Sequence, residues 1–344
     1  VEQNRAPVLP LYGYAAVASV DGQLWVAAMR TDDWDAWNPL TADRQQIDIA
    51  IRRARRSLPS NRLLTHLETC ATDYRCLTAQ NMFLRRGEGA IPVSPACNAA
   101  CLGCISEQWG DVDSPQARLG FAPTAVEIAE LAGWHLNAST GTENFVSFGQ
   151  GCEGEPLTRR SALVEATRRI RAAAPEATIH LNTNGSRPGV LRRLVEAGLN
   201  SIRISIFSLD DGRFRAYYRP LGYGLEQVHE CADIVAGAGG QVTINLLTFP
   251  GITDSPDEIE RIVDFVGRHG VRQIQLRSLN VDPHWLLSRI PEPTEGIGMT
   301  EFVAVLQRRC PGLQLGNFTR PAARRTPVEA AYDRPLPYHG NAGG

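Results

Sequence analysis

Short apolar runs alternate with amphipathic stretches along most of this 344-residue chain, the pattern of strands and helices taking turns around a parallel sheet. Apolar strands are predicted over 144–148, 178–182, 201–206, 241–246 and 271–276, with a further one near Ala90-Ile91-Pro92-Val93. Helices are predicted between them over 157–174, 190–197, 225–238 and 256–269, with Gly198 and Gly270 placed as stops. Another helix is announced by Thr124 and Glu127, spaced as a capping box ahead of Ile128 and Leu131. Six βα repeats fall short of a closed eight-stranded barrel. The expected fold is therefore an α/β protein, a partial (β/α)6 TIM-like barrel of parallel strands with a small N-terminal α/β extension. In such a barrel every strand's C-terminal end opens on one face.

Upstream, residues 11–30 read as two strands around Asp21-Gly22, a dipeptide suited to a tight hairpin turn. Residues 41–58 and 61–84 carry apolar residues at helical spacing. The domain reading is an accessory unit over 1–89, a core over 90–287 and a C-terminal extension over 288–344. The accessory unit either packs on the core or recognises a partner. The extension holds a short helix around 299–308, and its Pro/Arg/Ala-rich last 25 residues read as loosely ordered.

Composition narrows the chemistry. A net charge of −2 with a pI near 6.4 leaves no basic stripe, so duplex nucleic acid is an unexpected partner. No run of 18 apolar residues occurs and the N-terminus has no signal pattern, so the reading is a soluble, cytoplasmic protein with reduced cysteines and no membrane partner. All 35 basic residues are Arg. The lack of Lys excludes a pyridoxal-phosphate Schiff base on this chain, a lysine nucleophile and a standard phosphate-binding P-loop.

Three of the eight cysteines, Cys97, Cys101 and Cys104, fall within eight residues at spacing C-x3-C-x2-C. Three thiolates on one loop can hold three irons of a [4Fe–4S] cube and leave the fourth iron open to bind something else. A partial zinc site or a chance group of thiols are the competing readings. Cys70 and Cys76, too few for a cluster by themselves, read as ordinary thiols. Polar residues gather after the expected strands: the three cysteines, then 151–156, then Thr183-Asn184-Gly185.

Residues 90–285 resemble the radical S-adenosylmethionine (SAM) superfamily. The C-x3-C-x2-C loop matches that family's cluster motif, and Glu153-Gly154-Glu155-Pro156 resembles its Gly-Gly-Glu-Pro motif, which binds the amino group of SAM. Thr183-Asn184-Gly185 is similar to its third-strand Thr-Asn-Gly. The resemblance implies a single [4Fe–4S] cluster on Cys97, Cys101 and Cys104, and SAM held by Gly154, Glu155, Pro156, Thr183, Asn184, Arg203, Ser205, Asn245 and Leu276. It further implies a 5′-deoxyadenosyl radical that abstracts hydrogen from a substrate, oxygen sensitivity, and a reducing partner such as flavodoxin or ferredoxin. The chemistry of SAM agrees: its ammonium wants an acid, its carboxylate wants neutral donors or an Arg, and its adenine wants an apolar slot.

Two positions depart from the family pattern. Gly103 stands where an aromatic residue near the adenine is common, with Leu102, Ile105 or Trp109 as substitutes, and Glu153 replaces the first glycine of Gly-Gly-Glu-Pro. After residue 285 only Cys310 remains, which argues for one cluster, and the N-terminal stretch is too short for a cobalamin domain. The substrate is left open among small metabolite, peptide and nucleoside. Residues 210–220, with Tyr218, Arg219 and further arginines, are the expected substrate loop, favouring an anionic substrate. The competing reading there is ion pairing of Arg215 and Arg219 with nearby acids and tyrosines that pack. Cys152 is either a small packed residue or a hydrogen-atom donor. The alternative function is a cluster protein that binds or senses without turnover, with a zinc-holding interaction module as a third reading.

Overall fold

The computed structural model describes residues 16–26, 37, 42–107, 114–137 and 144–322. Within them, β1 (Val17–Val20) and β2 (Gln23–Val26) form the expected antiparallel hairpin, with Asp21 and Gly22 both at positive φ in its turn. Three helices follow: α1 (Arg44–Ser57), α2 (Leu63–Thr72) and α3 (Leu77–Leu84). The stretch 61–84 is thus two helices, not one. Residues 73–76 break it where Arg75 takes φ 53° and the Cys76 N–H reaches back 2.9 Å to the Cys70 carbonyl, an arrangement that closes a helix end.

The main sheet has seven parallel strands in sequence order, which makes an open half-barrel: β3 (Glu88–Ala90), β4 (Phe145–Phe148), β5 (Ile179–Thr183), β6 (Ser201–Ile206), β7 (Gln241–Leu247), β8 (Gln273–Arg277) and β9 (Gln314–Leu315). Six stand where apolar runs predicted them, β3 starting slightly earlier than expected. The seventh is two residues long and comes from the stretch assigned to the C-terminal extension. The connecting helices are α4 (Ala125–Leu136), α5 (Arg160–Ala173), α6 (Pro188–Glu196), α7 (Asp211–Tyr218), α8 (Leu225–Gly237) and α9 (Pro256–His269). The capping box at α4 forms as expected, with the Glu127 N–H on Thr124 Oγ1 at 3.2 Å and the Thr124 N–H on Glu127 Oε2 at 2.8 Å. Two later helices, α10 (Pro283–Leu287) and α11 (Met299–Arg309), precede β9.

Strand alternation sorts the side chains. Val146, Phe148, Leu181, Ile202, Ile204, Ile206, Val242, Ile244, Leu246 and Ile274 are buried in the apolar core with the helices. Glu88, Ser147, His180, Asn182, Ser201, Arg203, Ser205, Asn245, Gln273, Gln275 and Arg277 lie on the opposite, inner face, as the strand registers require. After β9 the chain crosses this inner face. The Asn317 carbonyl accepts from Arg277 Nη2 at 3.1 Å, the Phe318 carbonyl from Gln273 Nε2 at 2.9 Å, and Thr319 Oγ1 from Arg203 Nη1 at 2.6 Å.

The N-terminal helices are fastened to the barrel. Arg62 grips Glu127 through two bonds, Nε to Oε1 at 2.6 Å and Nη2 to Oε2 at 2.8 Å, and Asn61 Nδ2 donates to the Glu127 carbonyl at 2.8 Å. Among the described residues no helix is long and apolar enough to cross a membrane. Trp109 and the last 22 residues, to which part of the C-terminal reading refers, lie outside the described residues.

Candidate active site

Cys97, Cys101 and Cys104 stand half-buried on the loop that follows β3. That loop has no regular structure, so its shape depends on bonds from outside it. The end of α7 supplies them: the Ala100 N–H donates to the Tyr218 carbonyl at 3.0 Å, the Leu102 N–H to the Tyr217 carbonyl at 2.9 Å, and the Leu221 N–H to the Asn98 carbonyl at 2.9 Å. Asn280 Nδ2 donates to the Gly103 carbonyl at 3.1 Å. Helix α7 forms because Asp210 caps it, accepting from the Arg213 N–H at 3.0 Å, and because Phe207 stacks on Tyr217 with ring centroids 4.5 Å apart. The expected substrate loop is therefore a helix, and Arg215 pairs with Asp211 at 2.7 Å one turn away.

Burial pushes the Cys97 thiol up to about 11, with the Glu155 carboxylate adding to the effect. Burial and the two neighbouring thiols push Cys101 up as well. Thiols held this way ionise when a cation cluster is there to receive them. Arg118 Nη2 donates to Cys104 Sγ at 3.4 Å, and its charge pulls Cys97 and Cys101 back toward the anion. The donor set suits a [4Fe–4S] cluster: three thiols on one loop, one of them facing a guanidinium.

The loop after β4 is hydrogen-bonded directly onto the cysteine loop. The Gly154 N–H donates to the Ser94 carbonyl at 2.7 Å and the Glu155 N–H to the Ala96 carbonyl at 2.9 Å. The approach leaves no room for a side chain at 154, where a Cβ would lie 2.1 Å from the Ala96 oxygen. Glu155 caps a single 3₁₀ turn, Pro156–Arg159, and its buried carboxylate also accepts from Thr183 Oγ1 at 2.6 Å and the Asn184 N–H at 2.8 Å. Burial raises the Glu155 carboxyl, and these donors pull it back. Asn184 Nδ2 in turn donates to Asn98 Oδ1 at 3.0 Å, so the third motif is tied back to the first.

Glu153, the residue that replaces a glycine, points inward. Its Oε2 accepts from the Val93 and Ser94 N–H groups at 2.6 and 2.8 Å, and its Oε1 from the Gly149 and Gln150 N–H groups at 2.7 and 2.8 Å. One carboxylate thus joins the ends of β3 and β4. The space above Gly103 is taken by Tyr217, whose Oη would lie 2.5 Å from a Cβ at that position. An aromatic side chain from α7 is thereby brought to the place where the cysteine loop lacks one.

The remaining candidates separate by strand face. Ser205 and Asn245 are register partners on the inner face, and Asn245 Oδ1 accepts from Arg277 Nε at 2.9 Å. Leu276 pairs with Leu246 and has the opposite parity to Gln275 and Arg277. Arg203 is half-buried near Glu88 and Arg277; desolvation lowers its guanidinium to about 10 while Glu88 holds it up. Glu88 Oε1 and Gln275 Nε2 are buried with no hydrogen-bond partner among the described residues. Tyr218 is buried against Phe214 and Tyr217, and Arg219 closes α7 with φ 46°. Cys152 is buried, with its Sγ beside Cys70 and His66 of α2.

Sequence reasoning placed Arg277 beside Leu276 at the sixth strand and Tyr217 in the substrate loop, but gave no role to Asn98. Asn98 lies at a variable position inside the cysteine motif, and Tyr217 looked like a substrate contact because the helix that carries it was read as a loop.

Known proteins resemble this chain over part of its length. A GTP 3′,8-cyclase of Chlorobaculum tepidum is 30% identical over 203 residues, which cover 58% of this chain and 56% of that protein. Molybdenum cofactor biosynthesis protein 1 of Mus musculus is 26% identical over 242 residues, 68% of this chain and 33% of that one. The chain thus spans about half the length, or less, of these curated relatives. A radical SAM methyltransferase structure from Sphaerobacter thermophilus superposes with a TM-score of 0.46 at 17% identity, covering 67% of this chain and 66% of the other. Residues 91–266, just over half of the chain, match the radical SAM superfamily, and the chain therefore belongs to it: it is a radical SAM enzyme.

Proposed function

We propose that Cys97, Cys101 and Cys104 hold the [4Fe–4S] cluster and that the loops bonded to them hold SAM. Family membership implies a [4Fe–4S] cluster and SAM. The observation that carries the assignment to these residues is the mutual bonding of three motifs far apart in sequence, through Gly154 to Ser94, Glu155 to Ala96 and to Thr183 and Asn184, and Asn184 to Asn98. What the cluster and SAM supply when bound is one electron to the sulfonium, carbon–sulfur cleavage and a 5′-deoxyadenosyl radical that takes a hydrogen atom from substrate.

In this reading Gly154, Glu155 and Pro156 shape the seat of the methionine ammonium, with Glu155 positioning Thr183 and Asn184. Ser205 and Asn245 border the ribose and adenine on the inner face, with Leu276 packed behind them against the core, and Tyr217 covers the position opposite Gly103. Tyr218 acts through the cysteine loop, whose Ala100 N–H its carbonyl accepts, and Arg219 ends the helix behind it. The electron comes from a small reductase such as flavodoxin or ferredoxin.

The substrate class we infer is an anionic nucleotide. Two features support it: the names of the relatives, which specify GTP, and the inner face of the sheet, where the donor Gln275 Nε2 is buried without a partner among the described residues, on the face that carries Arg203 and Arg277. Buried polar groups without partners mark places where a polar ligand completes the bonding. Anaerobically reconstituted protein, reduced with dithionite, is expected to form 5′-deoxyadenosine from SAM, and a purine nucleoside triphosphate is expected to accelerate this and be converted. Absence of 5′-deoxyadenosine would overturn the radical reading. Cleavage indifferent to every nucleotide would overturn the substrate class alone.

A further inference from the structure

A second group of ligand-type side chains lies away from the cysteine loop and takes no part in the function proposed above. Helix α2 presents His66 and Cys70 four residues apart, hence on one face. Cys152, from the loop after β4, packs against that face, and the ligating atoms of the three side chains lie within 4.8 Å of one another. Among the described residues it is the one trio of His, Cys, Asp or Glu gathered so tightly.

Three observations point to a ligand. Cys70 and Cys152 are 1% and 2% exposed and carry no disulfide. His66 Nε2 is sealed from solvent and faces Cys70, with which it interacts without a well-formed hydrogen bond. Gln116 Nε2 donates to the Cys70 sulfur at a long 3.7 Å, a contact that a metal bond would readily replace. A tetrahedral zinc ion, with Zn–S near 2.3 Å and Zn–N near 2.0–2.1 Å, holds such atoms about 3.5–3.8 Å apart. The trio needs only small side-chain rotations to close to that spacing.

We propose that His66, Cys70 and Cys152 form a structural site for one zinc-class divalent cation, with Cys76 or water as fourth ligand. Cys76 is near enough to interact with Cys70 and Cys152, and its sulfur rests 3.1 Å from Thr78 Oγ1 just beyond the α2 break. With water as the fourth ligand, binding displaces two thiol protons and the site carries no net charge; with Cys76, three protons leave and the site carries one negative charge. Such an ion joins α2 to the residue two positions before Gly154. It locks the N-terminal helices onto the barrel at the SAM loop.

The test uses the full chain with Cys97, Cys101 and Cys104 changed to Ala, so that the motif cysteines cannot contribute, stripped with chelator and titrated with cobalt(II). One equivalent is expected, with thiolate-to-cobalt charge-transfer absorption and a rise in Tm. On that background Cys70→Ser with Cys152→Ser should abolish the absorption, His66→Ala should weaken binding at least tenfold, and Cys310→Ser should change nothing. Circular dichroism checks that each variant is folded. If the triple variant does not fold, the cluster-loaded wild-type protein reads the same site as one zinc beyond its iron, lost in Cys152→Ser. No cobalt–thiolate absorption in folded protein, absorption that survives Cys70→Ser with Cys152→Ser, iron with acid-labile sulfide at the site, or a Cys70–Cys152 disulfide in protein purified under reducing conditions would each overturn the proposal.

Discussion

Replacing Glu153 with Gln should unsettle both cofactor loops at once. The wild-type carboxylate accepts four backbone N–H groups at 2.6–2.8 Å, two from residues 93 and 94 and two from residues 149 and 150. A glutamine keeps one oxygen and turns the other into an NH2 group facing two N–H donors. Each buried donor left without an acceptor costs about 1–3 kcal/mol, so the loss is about 2–6 kcal/mol before relaxation. For a chain of this size that lowers Tm by at least several degrees, on the order of 5 °C. Thermal unfolding followed by circular dichroism measures it, and iron content after reconstitution should fall in parallel. Glu165→Gln, at a surface ion pair 46% exposed on the Glu side, is the control and should change little. Burial pushes the Glu153 carboxyl up to about 8 even with the four donors pulling it down, so the comparison is made at pH 9, where the group is ionised. An unchanged Tm in Glu153→Gln would mean that the group is carried protonated and that the four-donor clasp does not do what is claimed for it.

Three further outcomes follow from the same geometry. Gly154→Ala places a Cβ 2.1 Å from the Ala96 oxygen, and the resulting backbone shift, costing about 1–3 kcal/mol, should lower SAM affinity more than tenfold in a titration of the cluster spectrum. Gly103→Ala meets Tyr217 Oη at 2.5 Å, so Tyr217→Phe should restore part of the lost iron in the double variant, and strictly additive losses would contradict the contact. The Arg62 guanidinium holds Glu127 down to about 2, chiefly by hydrogen bonding. A depressed carboxyl contributes stability above its usual titration range and loses it as pH falls toward about 2. The stability gap between wild type and Arg62→Gln should therefore be full at pH 6 and close near pH 2 in denaturant titrations; a gap independent of pH would show that the ion pair is not its source.

Much of this was legible in the sequence because the signals were local and repeated. Apolar runs marked six of the seven strands, and the Thr124/Glu127 capping box marked α4. The spacing of Cys97, Cys101 and Cys104, followed by Glu-Gly-Glu-Pro and Thr-Asn-Gly in strand order, placed the candidate site. What stayed hidden depended on contacts between distant segments. Strand β9 is too short to carry a periodic signal. Helix α7 has no strong apolar stripe, because Asp210 caps it and its aromatic residues pack in several directions, so it read as a loop. The role of Glu153 depends on four N–H groups from two separate loops. Cys152 meets His66 and Cys70 only once α2 has packed on the barrel.

The most direct measurement of the central claim is electron paramagnetic resonance of the reduced protein, prepared anaerobically, with and without SAM. With Cys97, Cys101 and Cys104 as the only protein ligands, one iron is open, so a reduced [4Fe–4S] signal should appear and SAM should change it. Both the signal and its response should vanish when the three cysteines are replaced by Ala. A signal that SAM leaves unaltered, or that survives the triple replacement, would contradict the account.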